Sequence, residues 1–156
     1  MAAPPVPFET TLLVRDACLC LHAQRAARAL ARRFDDALRP VGLTNGQFSL
    51  LMSLNRPVPA RMRDVAALLA MDRTTLTAAL KVLERRALLE IAVDPEDRRG
   101  RLLTLTDAGQ RMLADAVPIW RRHHGRFERE LRDPDALREA LRAMGGEPPS
   151  GRVQRE

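Results

Sequence analysis

Leucines spaced by four and three positions mark the clearest helix of the chain. Leu76, Leu80 and Leu83 form its apolar face, a spacing typical of a helix with one side buried. Asp72 suits the N-cap, because its carboxylate can accept hydrogen bonds from the free amides of the first turn. The opposite face carries short side chains first and cations later: Thr74, Thr77, Ala78, Lys81 and Arg85. The pattern predicts an amphipathic helix from Asp72 to about Ala87.

A period-two pattern follows this helix and predicts a β-hairpin. Its apolar positions are Leu89, Ile91 and Val93 before a loop, and Leu103 and Leu105 after it. The loop, DPEDRRGR, contains Asp-Pro and Gly as turn residues. The arginines at its tip are Arg98, Arg99 and Arg101.

Further apolar stripes predict five other helices, so the expected fold is mainly α with one small β-hairpin. Their approximate bounds are Thr11–Arg39, Thr44–Leu54, Met62–Ala70, Thr106–Arg132 and Pro134 or Asp135 to Met144. Phe48, Leu51 and Met52 should face inward in the second helix, and Pro118 should bend the fifth of the six. The third helix leads directly into the helix capped by Asp72, which makes a helix-turn-helix.

The helix from Asp72 and the basic hairpin together indicate DNA binding. Threonine and alanine side chains near a helix start can meet base edges and thymine methyls in a major groove, while Lys and Arg hold phosphates. An exposed arginine on a protruding ribbon suits the narrow, electronegative minor groove. The alternatives are an ordinary solvated helix and a solvated turn, and the occurrence of both features side by side favours DNA.

Charge supports this interpretation only weakly. The net charge is +6 and the pI about 11.0, but the 26 basic residues are interleaved with 20 acidic ones. The geometry of the helix and hairpin therefore has to carry the DNA hypothesis. The chain shows no basic leader with an apolar stretch and no apolar run near 18 residues, so we expect neither secretion nor a membrane span. Two cysteines without a secretory context predict a cytoplasmic location.

Side chains suited to catalysis or metal binding are few. Cys18 and His22 would share a helix face, but Cys20 would point nearly the other way at ~100° per residue. His123 and His124 are adjacent and cannot share a direction. No nucleophile–histidine–acid set, phosphate-binding glycine loop or paired-carboxylate motif is present. We therefore predict no enzyme, no metal site and no cofactor.

The run DRTTLTAALKVLERRALLEIAVDPEDRRGRLLTLTDAG resembles the recognition helix, wing and next helix start of the MarR family of bacterial winged helix-turn-helix regulators. The most specific matches are Asp97, Arg99 and the run Leu-Thr-Asp-Ala-Gly at 105–109, together with the helix start at 72–77. The resemblance covers roughly residues 17 to 144. It implies Arg99 as the minor-groove residue, held by Asp97. The predicted DNA-binding set is Arg63, Arg73, Thr74, Thr75, Thr77, Lys81, Asp97, Arg98, Arg99 and Arg101.

The resemblance also implies a homodimer, in which terminal helices from two chains interlock. Residues 11–42 and 106–144 would form the helical dimerisation region and residues 43–105 the winged DNA-binding region. Proline- and glycine-rich mobile tails are predicted at 1–10 and 145–156. The predicted function is a transcription regulator, more specifically a repressor, that binds double-stranded DNA at a pseudo-palindromic operator. The alternative is a winged-helix protein-interaction module that does not bind DNA.

The sequence is compatible with two mechanisms by which the protein could release DNA. One is a small aromatic or phenolic effector, the usual class in the family, with candidate contacts at Leu21, Gln24, Arg28, Phe48 and Met52. The other is oxidation of Cys20, whose spacing is similar to that of the family's organic-hydroperoxide sensors. Those sensors use tyrosines to hydrogen-bond the thiolate, and this chain has none. Core packing for the first set and a small apolar role for Cys20 are the competing interpretations.

Overall fold

Helices account for most of the chain in the computed structural model, which describes residues 5–146. Residues 1–4 and 147–156 of the two predicted tails lie outside this range. The helices are α1 (Phe8–Ala17), α2 (Leu19–Leu38), α3 (Asn45–Ser53), α4 (Met62–Leu68), α5 (Arg73–Arg85), α6 (Asp107–Glu128) and α7 (Pro134–Gly145). The strands are β1 (Ala60–Arg61), β2 (Leu89–Val93) and β3 (Arg101–Leu105). A 3-10 turn, Arg39–Val41, follows α2.

The predicted N-caps of α3 and α5 are confirmed. Thr44 accepts the Gln47 amide N–H at 3.2 Å, and the Gln47 side chain accepts the Thr44 amide N–H at 3.1 Å. This reciprocal pair is a capping box. Asp72 accepts the Thr75 amide N–H at 2.9 Å. Each cap satisfies amides that the first helical turn leaves without a partner.

The predicted hairpin is confirmed as β2 and β3, with Leu89 opposite Leu105 and Val93 opposite Arg101. A third strand, β1, was not predicted. It pairs with the other edge of β3, with Arg61 opposite Leu102, so the sheet order is β1-β3-β2. A strand of two residues is too short to show an alternating pattern.

Leucines from α2, α3 and α5 and from the sheet form the core. The predicted buried face of α5 is confirmed, since Leu76, Leu80 and Leu83 are fully buried. One predicted inward position is wrong, because Met52 is 37% exposed. Val93, an apolar position of the predicted hairpin, is 55% exposed. Met52 lies on the outer side of α3, and Val93 is the last residue of β2, at the edge of the loop.

The first helix differs from its prediction, because it begins at Phe8 and is interrupted at Cys18. The Cys18 backbone is extended, with ψ 105°, and its Sγ accepts the Leu21 amide N–H at 3.5 Å as the N-cap of α2. No glycine or proline occurs between residues 8 and 38, so the sequence carries no breaker that would signal the interruption.

The chain divides into two compact units between Trp120 and Arg121. Pro118 lies within α6, as predicted. In the second unit Arg138 of α7 donates to Glu128 Oε1 at 2.6 Å and also pairs with Asp135. No helix among the described residues is long and apolar enough to cross a membrane.

Candidate nucleic-acid interface

A tight turn joins α4 to α5 and sets the direction of α5. The Met71 amide N–H donates to the Ala66 carbonyl at 2.9 Å, and the Ala70 amide N–H donates to the Ala67 carbonyl at 3.2 Å. Ala70 has φ +49°, a left-handed conformation more usual for glycine. Helix α5 therefore starts only a few residues after α4 ends, which is the arrangement of a helix-turn-helix.

Asp72 uses both carboxylate oxygens at the start of α5. Oδ1 accepts the Thr75 amide N–H at 2.9 Å, and Oδ2 accepts the Thr75 hydroxyl at 2.6 Å. The hydrogen bonds from Thr75 hold the pKa of Asp72 below its ordinary value. The cap therefore remains negatively charged, and the hydroxyl proton of Thr75 is engaged within the helix.

The three threonines predicted to contact DNA differ in what their hydroxyls can do. Thr77 donates its hydroxyl proton to the Arg73 carbonyl at 2.7 Å, and Thr75 donates to Asp72. Both still present a methyl group and oxygen lone pairs. Thr74 is exposed, and no hydrogen bond of its hydroxyl is formed within residues 5–146. Thr74 is thus the one of the three whose hydroxyl is free to donate to a base edge.

Backbone hydrogen bonds shape the wing tip, residues 94–100. The Asp94 amide donates to the Gly100 carbonyl at 3.2 Å, and the Gly100 amide donates to the Asp97 carbonyl at 2.7 Å. Asp97 Oδ1 accepts the Arg99 amide N–H at 3.0 Å. Asp97 therefore fixes Arg99 through its backbone and leaves the Arg99 side chain exposed.

Arg101 closes the wing tip from the β3 side. Its Nη1 donates to the Gly100 carbonyl at 2.8 Å and to the Arg98 carbonyl at 3.3 Å. The Arg101 guanidinium is therefore partly used inside the protein. The Arg98 and Arg99 side chains project from the same turn into solvent.

The structure brings most of the predicted cations together around two concavities. A cavity of about 560 Å³ between the helix-turn-helix and the wing is lined by Arg63, Arg73, Arg99 and Arg101, with Asp97 beside them. A second concavity of about 410 Å³ adjoins it, and its lining includes Arg73, Thr77, Lys81 and Arg101. Thr74, Thr75 and Arg98 line neither. The two concavities share Met62, Arg73 and Arg101, and their combined lining holds six basic and four acidic residues. The outer face of α5 and the wing thus border a surface with a net positive charge.

Thr106, at the base of the wing, is hydrogen-bonded to the residues that follow α5 and to the first turn of α6. The Thr106 hydroxyl donates to the Ala87 carbonyl at 2.7 Å and accepts the Gly109 amide N–H at 3.0 Å, while the Thr106 amide donates to the Leu88 carbonyl at 3.2 Å. A Cβ at Gly109 would lie well under 3.0 Å from the Leu88 carbonyl oxygen. The Thr106-Asp-Ala-Gly109 run therefore has a structural role, because it connects the base of the wing to the start of α6.

The candidate switch residues lie along α2 and α3. Gln24 donates to Cys20 Sγ at 3.2 Å and accepts from Arg28 Nη2 at 3.2 Å, which makes a polar row on the exposed side of α2. Cys20 is exposed. Leu21 is half-buried, whereas Phe48 is buried and stacks on Trp120 with ring centroids 6.1 Å apart.

Arg61 is a residue that the sequence analysis did not select. It lies in β1 and lines the larger cavity. Its guanidinium pairs with Asp94, 3.3 Å from Nε to Oδ2, and with Glu96. Nothing in the sequence marks it, because its partners are more than 30 positions away and β1 shows no pattern.

A helix-turn-helix followed by an arginine-tipped β-wing is the architecture of the winged helix-turn-helix DNA-binding proteins. Comparison with known proteins is consistent with that class. The MarR family model matches residues 41–100. The Mycobacterium tuberculosis transcriptional regulator MosR, in complex with DNA, is 36% identical over 83% of this chain and 94% of its own, with a TM-score of 0.77.

Two further relatives agree. The transcriptional repressor CouR bound to a DNA duplex is 31% identical over 85% of this chain and 93% of its own, with a TM-score of 0.69. The transcriptional activatory protein BadR of Rhodopseudomonas palustris is 32% identical over 59% of this chain, and the match spans 54% of BadR. The chain belongs to the MarR family. It is a DNA-binding transcription regulator and not an enzyme.

Proposed function

We propose that the protein is a homodimeric repressor that places α5 in a major groove and Arg99 in the adjacent minor groove of a pseudo-palindromic operator. The observation that carries this proposal is the shared cationic surface between α5 and the wing tip. A single strand of DNA backbone can follow the concavity while base edges meet α5 and the wing enters the next groove.

The proposed roles follow from what each side chain has free. Thr74 contacts base edges, and Thr75 and Thr77 present methyls and oxygen lone pairs. Arg63 is 72% exposed and pairs only loosely with its neighbour Asp64, at 3.4 Å, so it is available to a phosphate. The other proposed phosphate contacts are Arg73, Lys81, Arg98 and Arg101. Asp97 holds the backbone of Arg99.

Exposed apolar side chains at both ends of the chain support the homodimer. In α1, Leu13 is 66% and Val14 is 51% exposed. In α7, Leu137, Leu141 and Met144 are 41–57% exposed and recur at steps of four and three. Apolar stripes of this kind are stable when a partner covers them. The proposed dimerisation regions are residues 11–42 and 106–144, and the half-sites would repeat at about 34 Å.

Operator binding with and without Arg99 tests this proposal. DNase footprinting on the region upstream of the protein's own gene defines the site, and fluorescence anisotropy gives affinity over a range of salt concentrations. Arg99→Ala should weaken binding and lower the slope of log K against log salt by about one for each lost phosphate contact. Arg39→Ala removes the same charge from an exposed residue paired with Asp36 and serves as the control. Equal binding by both variants contradicts the assignment of Arg99.

We further propose that a small aromatic or phenolic anion releases DNA. The candidate contacts are Leu21, Gln24, Arg28, Phe48 and Met52; Arg28 supplies positive charge, and Met52 an exposed apolar surface. Such an effector would bind one conformation of the dimer better and shift the population away from the DNA-competent one. Salicylate-class anions should weaken operator binding by the wild type and have a smaller effect on Arg28→Ala.

Oxidation of Cys20 is the second candidate switch. Its thiol is exposed and accepts a hydrogen bond from Gln24, so an oxidant can reach it. Cumene hydroperoxide should then release DNA from the wild type and not from Cys20→Ser. Equal responses of the two proteins would exclude Cys20 as the sensor.

A further inference from the structure

We infer that Arg61 is a positioning residue for DNA recognition, which sets the wing tip at a fixed distance from the helix-turn-helix. The inference rests on the proposed function, in which Arg99 contacts DNA. Arg61 is the last residue of β1 and also the N-cap residue of α4. Its backbone therefore belongs to the helix-turn-helix, while its guanidinium pairs with Asp94 and Glu96 of the wing tip.

Asp94 connects this ion pair to the backbone of the wing tip. Its side chain is 5% exposed, and its two carboxylate oxygens have different partners. Oδ2 lies 3.3 Å from Arg61 Nε, and Oδ1 accepts the Glu96 amide N–H at 3.0 Å. A buried carboxylate held on one side by a cation and on the other by a backbone amide cannot move without losing both interactions.

Two more hydrogen bonds lead from Asp94 to Arg99. The Asp97 amide N–H donates to the Asp94 carbonyl at 3.2 Å, and Asp97 Oδ1 accepts the Arg99 amide N–H at 3.0 Å. The path from Arg61 to Arg99 thus consists of short-range contacts through one tight turn. We expect a change at Arg61 to alter the position of Arg99 with respect to α5.

The ion-pair partners of Arg61 distinguish it from the proposed phosphate-binding arginines. Arg61 faces one buried and one exposed carboxylate, and its own side chain is 40% exposed. Arg63, two residues further on, is 72% exposed, and within residues 5–146 it pairs with its neighbour Asp64 alone, at 3.4 Å. The positive charge of Arg61 is already compensated within the protein, so little of it remains to neutralise a phosphate.

A double-mutant cycle tests the inference with the full-length protein and its operator. The proteins are the wild type, Arg61→Ala, Arg99→Ala and the double variant, with Arg63→Ala and its combination with Arg99→Ala as the matched control. Arg61→Ala should weaken binding about tenfold, and should cause little further loss when Arg99 is already alanine. Arg63→Ala should weaken binding in both backgrounds to the same extent.

Asp94→Asn is the second variant, because it leaves an oxygen to accept the Glu96 amide but removes the ion pair with Arg61. It also removes a negative charge beside the DNA, which by itself would tighten binding. The positioning role instead predicts weaker binding when Arg99 is present, and no weakening when Arg99 is alanine, where only the effect of the lost negative charge remains. Arg61→Lys should recover part of the affinity that Arg61→Ala loses, since an ammonium can still reach Asp94.

The outcomes separate this inference from the proposed function. If Arg99→Ala binds as the wild type does, the minor-groove assignment fails and the inference fails with it. If Arg99→Ala weakens binding but Arg61→Ala adds its full loss to it, Arg99 keeps its role and Arg61 is not a positioning residue. Tighter binding by Asp94→Asn has the same consequence. A lower thermal unfolding temperature without any coupling to Arg99 would make Arg61 a residue of stability alone.

Discussion

Gly109→Ala is expected to destabilise the joint between the wing and α6. A Cβ at this position would lie well inside 3.0 Å of the Leu88 carbonyl oxygen and 3.0 Å from Leu105 Cδ2. The Leu88 oxygen cannot give way easily, because it belongs to the backbone immediately before β2. The Leu105 methyl ends a flexible side chain and can shift more readily. The first turn of α6 therefore has to move away from β2.

The size of the effect follows from what this movement breaks. The Thr106 hydroxyl bond to Ala87 and the Thr106 amide bond to Leu88, 2.7 and 3.2 Å, both join α6 to the wing base. Each such hydrogen bond contributes about 1 kcal/mol, and overpacking costs about 1–3 kcal/mol. The higher helix propensity of alanine than of glycine offsets about 1 kcal/mol of this loss. The net loss is therefore about 3 kcal/mol, which corresponds to a fall of roughly 6–12 °C in Tm for a chain of this length.

Thermal and urea denaturation at one fixed protein concentration provide the measurement, since the stability of the proposed dimer would depend on concentration. Gly46→Ala is the matched control. Gly46 lies in the first turn of α3, and a Cβ there would meet nothing within 4 Å. This control should be neutral or stabilised by up to about 1 kcal/mol. A Gly109→Ala protein as stable as Gly46→Ala would refute the reasoning from close approach.

Three further predictions concern the cap, the threonines and the dimer. Asp72→Ala should destabilise the protein at pH 7. Hydrogen bonds lower the pKa of Asp72, so its stabilising effect is present above the unfolded-state pKa and is lost as pH falls through the folded-state pKa. The urea midpoints of the wild type and the variant should therefore converge in acid. Thr75→Val should lower Tm through the lost hydroxyl bond to Asp72, whereas Thr74→Val should leave Tm unchanged and alter operator preference in a binding-site selection; the reverse pattern contradicts the assignment. Leu141→Glu should shift the protein from dimer to monomer in sedimentation equilibrium, with Glu139→Gln, an exposed neighbour, as the unaffected control.

Most of the fold was predictable because local signals and packing agree along most of the chain. Asp72 and Thr44 are caps in sequence and in structure, and the spacing of Leu76, Leu80 and Leu83 matches the buried face of α5. The interruption at Cys18 and the strand β1 were not predictable. The first has no breaker residue, and the second depends on a pairing with β3 some forty positions later.

The residues of the candidate site and their general roles were predicted from the sequence, but the hydrogen-bond partners that these residues have within the protein were not. Arg63, Arg73, Arg99 and Arg101 do line one cavity. Their identity alone could not show that Arg101 donates from Nη1 of its guanidinium to two carbonyls of the wing tip. Nor could it select Arg61, whose partners become neighbours only when the sheet forms. Roles depend on hydrogen-bond partners, and those partners are fixed by tertiary structure.

The same distinction limits how α5 can discriminate between bases. Of its three outward threonines, Thr75 and Thr77 donate their hydroxyl protons to partners at the start of the helix. Thr74 is the one of the three whose hydroxyl proton is available to DNA. One free hydroxyl donor and several methyls give a weak code, since each good bidentate contact to a base contributes about 1–3 kcal/mol and threonine makes none. Under the proposed function, operator selection should therefore depend heavily on the spacing between the two halves of the proposed dimer and on minor-groove shape at Arg99. A footprinted operator should accordingly tolerate single base changes under α5 better than the insertion of one base pair between its half-sites.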